Sequence, residues 1–169
     1  PLFECVKDYL ISKSFFAISN RVVSVDNPLI IYVLMKRKII VVGNGMTAVK
    51  FCQKMAETKL LELFDVKVIG DEPYFGYDRV HLTEYYMGAT ANELLLAPKD
   101  WYAANDIEVI TKNLVVDINK EVKSIELESG VNYPYDILVL ATGSSAFVPP
   151  IKGVDKKGVF VYRTFDDLD

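Results

Sequence analysis

The chain has 169 residues, about one domain's worth, and is 51% apolar and 25% charged. Those proportions exclude intrinsic disorder, and a formal net charge of −4 excludes the basic excess of a nucleic-acid module. Two cysteines, Cys5 and Cys52, are too few for a disulfide framework or a four-cysteine zinc site, so a reduced, cytoplasmic protein is the simplest expectation.

The chain starts at Pro1 and stops at Asp169 without a closing element, which suggests a piece of a longer product. Met35 opens Met35-Lys36-Arg37-Lys38-Ile39-Ile40-Val41-Val42 and looks like a natural start followed at once by a buried strand. Residues 1–34 read as a non-native extension, or else as an extra helix or strand; no function attaches to them. Their apolar run, Leu29–Leu34, is far shorter than the roughly 20 residues that span a bilayer. No signal-peptide pattern is present, and no membrane association is expected.

From Lys38 onward the pattern is that of an α/β protein. Residues 38–42 predict a strand buried on both faces. A Gly-rich turn follows, then a helix over 46–63, with Ala48, Cys52, Met55 and Ala56 on its apolar face. Val66–Ile69 predicts a second parallel strand. Asp71–Arg79 reads as a loop from its Pro, Gly and Asp content. Short helices are expected at 82–87 and 98–104, and a strand at 107–110. Segments 114–118 and 124–127 alternate like strands of an antiparallel meander, with turns at Asn119-Lys120 and Ser129-Gly130. Ile137–Leu140 predicts a central parallel strand, ended by Ala141-Thr142-Gly143.

The turn carries the chemistry. Gly43-x-Gly45-x-x-Ala48 fits the dinucleotide fingerprint G-x-G-x-x-G/A. The first glycine allows the sharp turn, the second lets a pyrophosphate approach the backbone, and the small third residue lets helix and strand pack closely. The helix start at Met46 offers unpaired N–H groups and partial positive charge to a diphosphate. An acid near the end of the second strand should take the ribose hydroxyls. Asp71 and Glu72 both qualify, Asp71 standing 28 residues beyond Gly43. The bland alternative is a Gly-rich turn of an α/β protein without a ligand.

After the second strand the chain does not continue in β-α units. It inserts a loop, short helices and a meander, then returns at Tyr135-Asp136-Ile137-Leu138-Val139-Leu140-Ala141-Thr142-Gly143. With the fingerprint, that strand resembles the FAD domain of the pyridine nucleotide-dependent flavoprotein reductases, over residues 36–169. Within them, Gly70-Asp71-Glu72-Pro73, Tyr77-Asp78-Arg79-Val80, Leu82-Thr83-Glu84 and Asp100-Trp101-Tyr102 look like the large subunit of NAD(P)H-dependent nitrite reductase. So do Ala146-Phe147-Val148-Pro149-Pro150 and the tail Tyr162-Arg163-Thr164, which are also similar to rubredoxin-reductase-like relatives. Ferredoxin reductases tend to carry Ser-Lys where this chain has Thr83-Glu84.

The resemblance implies a Rossmann-like FAD-binding domain, three-layered around a parallel sheet, with an inserted antiparallel meander and incomplete at its C-terminus. It spans residues 35–169, with the NAD(P)H domain and later domains elsewhere. Gly43, Asn44, Gly45 and Met46 would contact the FAD pyrophosphate, and Asp71 or Glu72 the adenosine ribose. Arg79 would reach the phosphates or the flavin half, Val115 would meet adenine through its backbone, and Thr142 and Gly143 would line the cofactor. Arg79 reads alternatively as a loop ion pair with Asp71 or Glu72, Val115 as a core residue, and Thr142-Gly143 as a strand end.

The implied activity is electron transfer from NAD(P)H through FAD, toward nitrite or toward rubredoxin or another small carrier. A small subunit or carrier protein would be the partner, and siroheme and iron–sulfur centres would lie downstream. A non-catalytic nucleotide-binding fragment is the reading from another class. No catalytic side chain is named. His81, the single histidine, reads as a solvated or capping residue, and Trp101 as packing. Tyr74, Tyr77, Tyr85 and Tyr86 look like an aromatic core or rim. Residues 71–95 contain no Cys, which disfavours thiol-based transfer, and Cys52 reads as a small apolar residue.

Overall fold

The computed structural model describes residues 15–18, 21–24 and 36–168. The chain divides into two units, Pro1–Lys36 and Arg37–Asp169. Strands β1 (Phe15–Ile18) and β2 (Arg21–Ser24) of the first form an antiparallel ribbon, Phe15 opposite Ser24 and Ile18 opposite Arg21. The run Leu29–Leu34 and Cys5 lie outside the described residues.

The second unit is built on a four-stranded parallel sheet, in the order β5 (Ile107–Ile110), β4 (Phe64–Ile69), β3 (Arg37–Val42), β9 (Ile137–Leu140). Strand β3 is internal, and Ile39, Ile40, Val41 and Val42 are all buried because both its faces are covered. Alternate side chains divide between two cores. Ile39, Val41, Val66, Val68 and Ile107 pack beneath helix α1 (Met46–Glu57) and helix α2 (Lys99–Ala104). Ile40, Val42 and Ile69 pack on the other face against Ile125 and Leu127. Those two belong to the meander of β6 (Val115–Asn119), β7 (Ser124–Leu127) and β8 (Asn132–Pro134). A one-residue slip in β3 would therefore exchange its entire contact set between the two cores. The three layers match the Rossmann-like arrangement with an added meander that the sequence implies.

Two expectations need correction. Helix α1 stops at Glu57 rather than running to 63. The Thr58 hydroxyl donates to the Lys54 carbonyl (2.7 Å), and Lys59 turns left-handed at φ 58° before a separate 3₁₀ turn at Leu60–Glu62. Leu60 and Leu61 keep the helical spacing, which is why the period carries past the true end. Strand β9 is not central: among the described residues it lies at the sheet edge, its residues are half-buried, and Leu140 is 62% exposed. An apolar run reports cover on the faces and is silent about the edges. The turn at Ser129-Gly130 implies a third meander strand, and β8 supplies it.

Asp136 fixes the start of β9. Its carboxylate accepts from the Lys38 N–H (2.7 Å) and its own N–H donates to the Lys38 carbonyl (2.9 Å). That double tie aligns β9 with β3 and brings Ala141 to the mouth of the first turn, where its N–H reaches the Val42 carbonyl at 2.7 Å. No helix among the described residues is long and apolar enough to cross a membrane.

Candidate functional site

The carboxyl ends of β3, β4 and β9 meet at a cleft of about 630 Å³. Open α/β sheets place ligands at such a position. One wall is the turn into α1. Gly43 takes φ 99°, and a Cβ there would stand 2.3 Å from the Ala141 carbonyl oxygen. Only glycine therefore fits where the two strands' exits touch. Gly45 is the opposite case: a Cβ built on it meets nothing within 4 Å, because the space beyond it is the cleft. Gly45 is also the N-cap of α1, and no side chain caps this end or places an acid in its first turn. The first N–H groups of the helix thus stay available to an anion. Ala48 is fully buried and lets α1 sit close to the sheet.

The second part of that wall is the end of β4. The Gly70 N–H donates to the Ile110 carbonyl (2.9 Å), and the Gly70 and Glu72 carbonyls accept from Asn113 and Lys112. Asp71 is exposed at the cleft. Glu72 accepts from the Tyr77 hydroxyl (2.6 Å) and is ion-paired with Arg79. The Arg79 guanidinium also lies 5.0 Å from the centre of the Tyr77 ring and donates to the Arg163 carbonyl (3.0 Å). Burial, then the hydrogen bond to Glu72, pushes the Tyr77 phenol well above the ordinary tyrosine range.

The facing wall comes from Ala141–Ala146 and the tail. Gly143 takes φ 72°, with an Arg163 Nη2 atom 3.3 Å from its would-be Cβ. A 3₁₀ turn at Phe165–Asp167 ends the tail. The Asp167 carboxylate accepts from the N–H groups of Arg163 and Thr164 and from the Thr164 hydroxyl. These bonds, the Thr164 N–H first, hold it below the usual carboxylate range. Phe165 anchors the turn, its ring 4.9 Å from Tyr74 and 4.2 Å from Tyr77.

Nine of the ten residues singled out from the sequence line this cleft: Gly43, Asn44, Gly45, Met46, Asp71, Glu72, Arg79, Thr142 and Gly143. Val115 does not. It is half-buried against the second core. Arg79 lines the cleft and makes the loop ion pair with Glu72. Sequence reasoning gave Arg163, Thr164 and Asp167 no site role, although Thr164-x-x-Asp167 has the spacing of a capping box and marks an ordered turn. Of the four tyrosines, Tyr74, Tyr77 and Tyr85 surround Phe165, whereas the exposed Tyr86 stacks on Tyr162. Trp101 packs edge-on against Tyr102. His81 is exposed and hydrogen-bonded to Asp78 (2.8 Å). Cys52 is fully buried, its thiol pushed up to about 12 by that burial. Among the described residues no group of three or more His, Cys, Asp or Glu could hold a metal ion.

The cleft fits a dinucleotide on its own features. An open space lies beyond Gly45 beside uncapped helix N–H groups, with the exposed Asp71 carboxylate and the Arg79 guanidinium both lining the same cleft. The Asn44 side-chain oxygen is buried without a partner, while its amide donates to the Tyr74 carbonyl (3.2 Å).

Known proteins agree with this geometry. The large subunit of the NADH nitrite reductase of Escherichia coli K12 is 38% identical over 134 residues, 79% of this chain and 16% of that protein. The corresponding NAD(P)H enzyme of Klebsiella oxytoca is 40% identical over 134 residues, 79% of this chain and 14% of its own length. The chain therefore spans about a sixth or less of these curated relatives. The crystal structure of NADH:rubredoxin oxidoreductase from Clostridium acetobutylicum superposes with a TM-score of 0.65 at 28% identity, over 79% of this chain and 34% of that one. Residues 35–169 match the pyridine nucleotide-disulphide oxidoreductase family, and the chain belongs to it.

Proposed function

We propose that the cleft binds FAD, and that the chain is the FAD-binding part of an NAD(P)H-dependent oxidoreductase that passes electrons toward nitrite. The observation that carries this is the open space beyond Gly45, framed by the uncapped start of α1. On this reading the N–H groups at Gly45, Met46 and Thr47 receive the diphosphate, and Asn44 and the end of β4 border the adenosine side. Arg79 presents a planar guanidinium to phosphate, and Thr142 and Gly143 border the cofactor where the chain leaves the sheet. Val115 keeps its side chain in the second core and would meet adenine through its backbone. FAD, when bound, supplies the hydride and electron chemistry, and the protein holds and orients it.

The nitrite assignment rests on kinship with nitrite reductase large subunits. The site for NAD(P)H, and any siroheme or iron–sulfur centre, then belongs to other parts of the enzyme. Reduction of rubredoxin or a similar carrier is a second reading, favoured by the likeness to NADH:rubredoxin oxidoreductase.

Titrating the chain with FAD, followed by flavin fluorescence and visible absorption, tests the binding. We expect saturable quenching, competed by ADP. Indifference to both nucleotides would overturn the proposal. The FAD-loaded chain should oxidise NAD(P)H no faster than free flavin, and robust turnover would contradict the division of sites. Nitrite-dependent against rubredoxin-dependent NAD(P)H oxidation by the holoenzyme containing this chain separates the two acceptors.

A further inference from the structure

Two adjacent carboxylates close β4, and the spacing of the motif does not distinguish them. Their surroundings do. Asp71 is exposed at the cleft, whereas both oxygens of Glu72 are engaged, Oε2 by the Tyr77 hydroxyl at 2.6 Å and Oε1 by Arg79. The Glu72 and Arg79 side chains are only 20% and 22% exposed. Turning Glu72 toward a ribose would strip Arg79 of its counter-charge in a poorly solvated place.

We infer that Glu72 is a positioning residue: it holds Arg79 against the cleft wall, with Tyr77 as its brace, and does not itself meet the nucleotide. The inference rests on the reading of the cleft as an FAD site. Three contacts fix the guanidinium from different sides: the Glu72 carboxylate, the Tyr77 ring at 5.0 Å and the Arg163 carbonyl at 3.0 Å. Of five N–H donors, the two hydrogen bonds use two and leave three for an anion in the cleft. A guanidinium held this way loses little freedom when the anion arrives, which is where its contribution to affinity comes from.

A double-mutant cycle in FAD affinity is the test, with Glu72→Gln, Arg79→Met and the pair in the same chain. Each single change should weaken FAD roughly tenfold, the size of a lost hydrogen bond to a charged group. The pair should bind no more weakly than Arg79→Met alone. Losses that multiply, to roughly a hundredfold, would mean Glu72 meets the ligand independently and would overturn the inference. Tyr77→Phe, which keeps the ring, serves if Glu72→Gln does not fold. It should weaken FAD in the native background and leave an Arg79→Met background unchanged, and a loss in both would overturn the brace.

A ligand-free readout separates the inference from the FAD assignment. Nitrogen-15 NMR should resolve the two Arg79 Nη groups in the native chain and show them averaged in Glu72→Gln. Averaged signals in the native chain would overturn the clamp even if FAD binds. Resolved signals in a chain that ignores FAD would overturn the cofactor reading and reduce the clamp to a structural tie.

Discussion

The two walls of the cleft are built differently. The wall from β3, the first turn and α1 stands on strands buried on both faces, and its glycine turn is bonded to the neighbouring strand through Gly43 and Ile69 (2.7 Å). The facing wall leaves the sheet at Ala141 and runs largely exposed through turns at 152–158, with Phe147 84% and Phe160 82% exposed. It returns to the cleft through the Arg79–Arg163 bond, the Asp167 cap and the Phe165 ring. One wall is set by packing and the other by a handful of ties. The second is the one expected to open at low free energy.

Substitutions should expose that contrast. Gly43→Ala should do the most damage, since its Cβ meets backbone at 2.3 Å and the left-handed φ strains any side chain. We expect a loss of about 3 kcal/mol in urea unfolding, combining overpacking and strain, together with loss of ADP and FAD binding. Phe165→Ala should lower stability by about 3 kcal/mol if the tail unfolds with the whole unit. A much smaller loss, with hydrogen exchange faster only around 163–168, would show that the second wall opens by itself. Gly45→Ala sharpens the comparison from the other side. Its Cβ meets no protein atom, so stability should change by under about 1 kcal/mol while FAD binding weakens at least tenfold.

The smallest effect concerns His81 and Asp78, in the loop after Tyr77. The Asp78 carboxylate raises the His81 pKa above its ordinary 6.5, and His81 in turn lowers that of Asp78. The histidine contributes stability below pH 6.5 and loses it as pH rises through the raised value. The aspartate contributes above its ordinary range and loses it as pH falls through the lowered value. The pair therefore favours the fold most between about pH 4 and 6.5. His81→Gln should flatten the fall of the thermal midpoint just above that window, and an unchanged pH profile would show the pair to be fully screened.

The first wall was legible in the sequence because its signals are local. A buried strand, three small residues at fixed spacing and a helical period all lie within Lys38–Met55. Of the second wall, Thr142 and Gly143 were legible at a strand end, whereas Arg163 was not, because it meets the cleft through a bond to Arg79 that spans 84 residues, and Asp167 only closes a local turn behind it. The end of α1 was misread since Leu60 and Leu61 continue its period after Lys59 has turned left-handed. The edge position of β9 could not be read from an apolar run that describes only its faces. Val115 combines two expectations: its side chain packs against the second core, which an apolar residue in a strand predicts, and that leaves its backbone free for the adenine contact that the resemblance implies.

Cys52 offers a consequence outside binding chemistry. Sealed among Ala48, Val49, Met55 and Tyr102 in the first core, its thiol can be alkylated only when that core opens. The modification rate of the Cys52 peptide, read by mass spectrometry apart from that of Cys5, is then a clock for breathing of the α1 layer. Added nucleotide should slow that clock in proportion to its occupancy, so a single sulfur atom reports ligand affinity without a chromophore.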